Sequence, residues 1–317
     1  LIAPMLGISC YLTWKYGFFI ATIVPAATTF VAWALITLYR QSTEERQRRS
    51  FSRALARNTS PAIAASITKH MDKLDLSPQP AEVTCYFSDL QGFTSISERL
   101  DANQTKTILN HYLGAMGEVL VENRAFNKFM GDGIFAFFNS PLWPVEDHII
   151  VGCESALATA QKLNELKASA AAEYAEEFRR LFMRVGVHAG PVYVGYFGSE
   201  NQTDYTCIGD TVNLAARLES ANKAFGTQIM VSGVCRDHAG DRYHYRHLAA
   251  LQVKGKAQAV QVYELLGRKG DVDDETLDYA NAFNQAVAAF QKRDWEGSKH
   301  HFQYCKERRV NDPAIEL

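Results

Sequence analysis

The sequence predicts an α+β protein in which one sheet domain, from about residue 77 to 268, is flanked on both sides by helical segments. Three observations lead there. Short apolar runs rich in aromatic and β-branched residues alternate with longer helical stretches. The break Ser77-Pro78-Gln79-Pro80 separates that alternation from everything before it. After residue 274 the spacing of apolar residues turns helical again.

The elements of the sheet domain follow in order. Glu82 to Phe87 (EVTCYF) reads as a strand, and Ser88-Asp89 leads into a turn and a helix start. Thr105 to Val121 is helical. Phe126 to Phe138 is a hairpin of two apolar strands around Gly131-Asp132-Gly133, since Asp-Gly is a turn signal. Ile149 to Leu181 is a long Ala-rich helical stretch. Met183 to His188 and Val192 to Tyr196 form a strand pair around Gly190-Pro191. The order is the βαββαβ of a ferredoxin-like sheet with helices on one face.

Composition limits the alternatives. Of 317 residues, 47% are hydrophobic and 21% charged, which excludes wholesale disorder. A net charge of -2 provides no basic footprint for nucleic acid. Cys10, Cys85, Cys153, Cys207, Cys235 and Cys305 form no C-x-x-C pair and read as thiols in a reducing compartment.

No charged residue falls between Tyr16 and Leu38. That run is long enough to cross about 30 Å of hydrocarbon as a helix. Trp14, Tyr16, Phe18 and Phe19 at one end, with Trp33 and Tyr39 towards the other, match interfacial belts, and Pro25 is tolerable inside a bundle. Residues 1–39 are therefore expected to be membrane segments, the last at about 16–39. Arg40, Arg46, Arg48, Arg49, Arg53 and Arg57 follow at once and place the rest of the chain in the cytoplasm of an inner (plasma) membrane protein. Residues 40–76 read as a helical linker carrying Phe51, Leu55, Ile63, Ile67 and Met71 at mostly four-residue steps. At the other end, residues 274–317 contain Ala280, Phe283, Ala286, Ala289 and Phe290, then Trp295, Phe302 and Cys305. This is a helical hairpin similar to one tetratricopeptide-type (TPR-like) repeat. One such unit cannot bury its own face, so further repeats are expected to follow. The chain opens on Leu1 inside an apolar run, as expected of a piece of a longer protein.

Four segments carry chemistry. In Phe87-Ser88-Asp89-Leu90-Gln91-Gly92, a carboxylate at a strand's end lies beside the free amides of a helix start; alone, Asp89 is equally an ordinary cap. Asp132 at the hairpin tip is alone equally a turn residue. Strand-end Asp89 and tip Asp132 can nevertheless lie side by side in this topology. Two converging carboxylates repel unless a cation sits between them, which is the requirement of a two-metal phosphoryl-transfer site. In Thr206-Cys207-Ile208-Gly209-Asp210-Thr211-Val212-Asn213, continuing to Arg217, Asp210 or Thr211 caps a helix whose Asn213 and Arg217 share one face. An amide beside a guanidinium suits a ribose and a phosphate developing charge. Val253-Lys254-Gly255-Lys256 is a basic turn before the strand Val260 to Leu265.

In this order and at these separations the four segments resemble the class III nucleotidyl cyclase catalytic domain over residues 81–266. The flanking helices are similar to bacterial membrane-anchored adenylate cyclases whose sensor is a domain of the CHASE2 type, absent from this chain. The resemblance implies that Asp89 and Asp132, with the Leu90 carbonyl, hold two divalent ions, Mg²⁺ or Mn²⁺. It implies that Lys128 and Thr206 read the purine, that Lys254 binds the triphosphate, and that Asn213 and Arg217 orient the ribose and stabilise the transition state. Lysine at position 128 implies ATP, because it can donate to adenine N1 but cannot accept from guanine. The hydroxyl of Thr206 selects less sharply. His188 reads as a structural histidine. The implied reaction is attack of the ATP 3′-oxygen on the α-phosphorus, giving cyclic AMP and pyrophosphate. The resemblance also implies a shared site, with the aspartates on one chain and the remaining residues on the other, so a head-to-tail homodimer is expected. The alternatives are a guanylate cyclase or a catalytically silent nucleotide-binding module.

Overall fold

The computed structural model describes residues 2–16, 27–43, 77–171, 174–199, 202–252, 259–309 and 311–317. They fall into two compact units, the N-terminal helices and the domain that follows. In the first unit, α1 spans Ile2–Tyr16 and α2 covers residues 27–43. Along α2 the side chains of Phe30, Val31, Trp33, Leu35, Ile36, Leu38 and Tyr39 are exposed. Of the membrane helix expected at about 16–39, residues 17–26 lie outside the described residues, and among the described residues no helix is long and apolar enough to cross a membrane. The expected linker lies outside them from residue 44 to 76.

In the second unit β1 spans Gln79–Gln91, and α3 the short Phe93–Ser97. Helix α4, Ala102–Glu122, opens on a capping box: Asp101 accepts from the Asn103 and Gln104 amides, and the Gln104 side chain accepts in turn from the Asp101 N–H. β2 (Phe126–Met130) and β3 (Gly133–Phe138) form the hairpin. Helix α5 (His148–Ser169) is followed by the separate short α6 (Ala175–Arg180), where a single helical stretch was expected. β4 is Phe182–Ser199, β5 Gln202–Ile208 and α7 Asp210–Phe225. β6 (Ile229–Ser232), α8 (Gly233–Ala239), β7 (Tyr243–Leu251) and β8 (Val260–Arg268) complete the sheet. The strand order is β2-β3-β1-β4-β6-β8-β7, with β5 paired to β4.

Its first four strands, read β4-β1-β3-β2, have the ferredoxin-like order the sequence predicts. The turn expected at Gly190-Pro191 is absent. Both residues stay in β4, opposite Val83 and Glu82 of β1, and the carbonyl of Pro191 accepts from Thr211 at 2.8 Å. β4 instead pairs beyond this point with β5, Tyr193 opposite Ile208 through to Ser199 opposite Gln202. β5 lies against the strands β2 and β3: the ring of Tyr205 contacts those of Phe126 and Phe137, and its hydroxyl is 2.5 Å from Ser140 Oγ.

The main core, under α4 and α5, buries Tyr86, Ile108, Tyr112, Met116, Leu120, Ile134, Phe138 and Leu163 almost completely. The C-terminal hairpin forms as expected from α9 (Asp274–Gln291) and α10 (Trp295–Arg308), ending in the short α11 (Pro313–Glu316). The sheet domain covers part of its apolar face, while Phe290 and Trp295 stay exposed. Tyr279, Ala282, Phe283, Val287, Cys305 and Ala314 join Leu214, Leu218, Phe225, Met230, Leu248 and Val262 in one core with the sheet domain. Arg246, 3% exposed, pairs with Glu264 at 2.8 Å and with Asp312, which also accepts from Tyr279 Oη at 2.5 Å.

Candidate active site

Asp89 lies in β1 directly opposite Arg184 of β4. Its Oδ2 accepts from Arg184 Nη2 at 2.7 Å, while Oδ1 faces the β2–β3 turn. A Cβ on Gly133 would stand 2.8 Å from the Ser88 carbonyl and 3.6 Å from Asp89 Oδ1, so only glycine lets the turn carrying Asp132 come this close. The turn carrying Asp132 thereby lies beside Asp89 within one chain, close enough for one charge to act on the other. Burial pushes the Asp132 carboxyl above its ordinary value, and the charge of Asp89 pushes the same way against Arg184. The Leu90 side chain is in the core, which leaves only its main-chain carbonyl available.

The donor set fits a divalent cation of the Mg²⁺ or Mn²⁺ kind: two carboxylates and carbonyl oxygen, all hard ligands. Buried beside them are the Ser88 and Tyr112 hydroxyls, Tyr112 close enough for both carboxylate charges to act on it. No third acidic, histidine or cysteine side chain joins the pair among the described residues. Mg²⁺ is commonly held in this way, by one or two carboxylates with the remaining ligands from water and substrate phosphates.

Arg184 is a site residue that the motifs did not single out. It is 9% exposed, and its Nε lies 3.1 Å from Glu219 Oε1, close enough for an ion pair although the N–H is not aligned on that oxygen. Burial raises the Glu219 carboxyl above its usual value, partly offset by Arg184. The chain Asp89–Arg184–Glu219 ties β1 through β4 to α7. It exists because α7 sits on bare backbone: a Cβ on Gly186 would overlap the Ala215 carbonyl and the Glu219 amide. The available signal was a lone charge inside the apolar run Met183 to Val187.

Helix α7 turns Thr211, Leu214, Ala215, Leu218, Glu219 and Asn222 inwards. Asn213 and Arg217 are exposed on its other face. Its N-cap is Gly209 with no side-chain cap, not Asp210 or Thr211 as expected. The inward face thus meets the chain's own Asp89 through Glu219 and Arg184, while the expected catalytic pair looks away. Lys128 of β2 is ion-paired with Asp204 of β5, and Thr206 lies on β5 opposite Gly195, partly exposed. Lys254 lies outside the described residues. His188 is buried, with Nδ1 2.7 Å from Ser232 Oγ, a structural position.

A ferredoxin-like sheet with an acidic pair on its central strand and adjoining hairpin, and a guanidinium beside them, brings together groups suited to a divalent ion and to phosphate. The chain belongs to the adenylate and guanylate cyclase catalytic domain family, whose profile matches residues 77–267. It is 34% identical over 187 residues to adenylate cyclase 1 of Rhizobium meliloti, covering 59% of this chain and 28% of that protein. It is 30% identical to the adenylate cyclase of Anabaena cylindrica, covering 58% of this chain and 36% of that one. The chain thus spans about a third of the length of these curated relatives. Among solved structures, the guanylyl cyclase Cya2 superposes with a TM-score of 0.55 at 31% identity, covering 62% of this chain and 97% of that one. The adenylyl cyclase CyaB from P. aeruginosa superposes with 0.54 at 29% identity, covering 62% and 100%.

Proposed function

We propose that the domain is an adenylate cyclase that converts ATP to 3′,5′-cyclic AMP and pyrophosphate at sites shared by two copies of the chain. One observation carries this reading: the acidic pair meets within one chain, while Asn213 and Arg217 look outward from the far face of α7. A second protomer brings its outward pair to the first protomer's carboxylates, and a twofold axis makes two such sites.

Asp89 Oδ1, Asp132 and the Leu90 carbonyl are the groups that would hold two divalent ions, Mg²⁺ or Mn²⁺. When bound, these supply positive charge that lowers the 3′-hydroxyl pKa and neutralises the triphosphate. Lys128 donates to adenine N1 and the Thr206 hydroxyl faces the 6-amino group. Asn213 orients the ribose, and Arg217 stabilises charge on the α-phosphate as the 3′-oxygen bonds to phosphorus and pyrophosphate leaves. Arg184 and Lys254 add cations for the phosphates. The exposed apolar side chains of α2 support a membrane anchor for the first unit, and the arginines from Arg40 to Arg57 support catalysis on the cytoplasmic side.

Turnover of purified protein with ATP or GTP, each with Mg²⁺ or Mn²⁺, tests the reading. Cyclic AMP from ATP is expected. No product from either nucleotide means the silent module, and cyclic GMP from GTP alone means the guanylate cyclase. Extraction of cell membranes at high pH tests the anchor, which fails if the chain is released.

A further inference from the structure

The Lys128 ammonium does not approach the purine site alone. It is tied to Asp204, a residue outside every motif that the sequence singled out. Asp204 and Thr206 stand opposite Phe197 and Gly195 of β4, so they alternate on β5 and leave the same face of the strand, roughly 7 Å apart. Side-chain exposure is 17% for Lys128 and 48% for Asp204. The lysine side chain is therefore mostly covered while the carboxylate still reaches solvent.

The chemistry of purine choice makes this pair consequential. An ammonium has three donors, no acceptor and a flexible stem. It can donate to adenine N1, and by a small shift it can donate to guanine O6. A threonine hydroxyl donates as readily as it accepts, so Lys128 and Thr206 by themselves separate the two bases weakly. Fixing the ammonium removes that freedom. One N–H is committed to the carboxylate, and the others point where the pair sets them.

We infer that Asp204 is a positioning residue for purine selection: by pairing with Lys128 it holds the ammonium where it meets adenine N1 and keeps it from following guanine O6. This rests on the adenylate cyclase reading above. The α-phosphorus is at the other end of the nucleotide, so Asp204 acts on binding of the base and not on the chemical step.

Steady-state kinetics of the full chain with ATP and with GTP, at saturating metal, test it. Asp204→Asn keeps the shape and removes the charge. It is expected to raise the KM for ATP about tenfold with kcat within about twofold, and to lower the ATP-over-GTP preference in kcat/KM by about tenfold or more. Asp204→Glu is expected to recover most of both. Lys128→Ala combined with Asp204→Asn should be no worse than Lys128→Ala alone, because the second change has nothing left to position. An unchanged preference in Asp204→Asn, no recovery in Asp204→Glu, or effects that add to those of Lys128→Ala overturn the assignment. The wild-type arm separates this from the parent reading. Wild type that cyclises only GTP removes both. Wild type that prefers ATP, with an Asp204→Asn variant that prefers it equally, removes only the role of Asp204.

Discussion

At one end of the sheet β2 pairs only with β3 among the described residues, and its Phe129 and Met130 are 53% and 61% exposed. At the other end β7 is closed: Asn284 of α9 accepts from the His247 amide at 2.6 Å and donates to the Tyr245 carbonyl at 3.1 Å, standing in for a neighbouring strand. Below it Arg246 is buried between two carboxylates. A sheet edge left with apolar side chains is a surface for another chain, and a capped edge is not. The open edge carries Lys128, and exposed Tyr193 and Ile208 flank Thr206 on the neighbouring β4–β5 arm. The C-terminal hairpin therefore completes the domain on the side away from the purine residues.

The difference can be tested from its largest consequence to its smallest. Asp89→Ala and Arg217→Ala should each lower kcat by about a thousandfold. Mixed in equal amounts they should recover roughly a quarter of wild-type turnover, since half the dimers are mixed and each has one intact site. No recovery on mixing would show that the open edge does not build a shared site. Arg246→Ala strands Glu264 and Asp312 in the core and should cost about 3 kcal/mol in urea unfolding, against no such loss for a change at the open edge. Phe129→Ser should weaken the dimer about tenfold in sedimentation while leaving that unfolding transition in place. Asn284→Ala should cost about 1 kcal/mol and speed amide exchange at His247.

A pH effect sharpens the site itself. The Asp132 carboxyl is raised in the folded protein, so the fold binds that proton more tightly than the unfolded chain does. Its contribution to stability is present below the unfolded carboxylate pKa and is lost as pH rises through the raised folded value. Asp132→Asn should therefore raise the melting temperature of metal-free protein at neutral pH while abolishing turnover. A lower melting temperature would refute the assignment of strain to that charge. Divalent-ion affinity, measured by calorimetry, should fall as pH drops through the same raised value.

Much of this was legible beforehand. The βαββαβ order, the hairpin at Gly131-Asp132-Gly133 and the proximity of Asp89 to Asp132 follow from period-two apolar runs and a turn signal, which are local properties. The strands Ile229–Ser232 and Tyr243–Leu251 were missed because one is short and the other mixes His, Arg and Tyr into its pattern. Gly190-Pro191 misled because a turn-forming pair remains extended when a neighbouring strand fixes its register. Local sequence also determined that the last helices form a hairpin and that Asn213 and Arg217 share a face. Only the tertiary structure decided what covers that hairpin, which face of α7 turns inwards, and that Arg184, Glu219 and Asp204 reach Asp89 and Lys128. Those contacts join residues far apart in sequence. A buried charge is placed by the partner that meets it, and no spacing along the chain encodes that meeting.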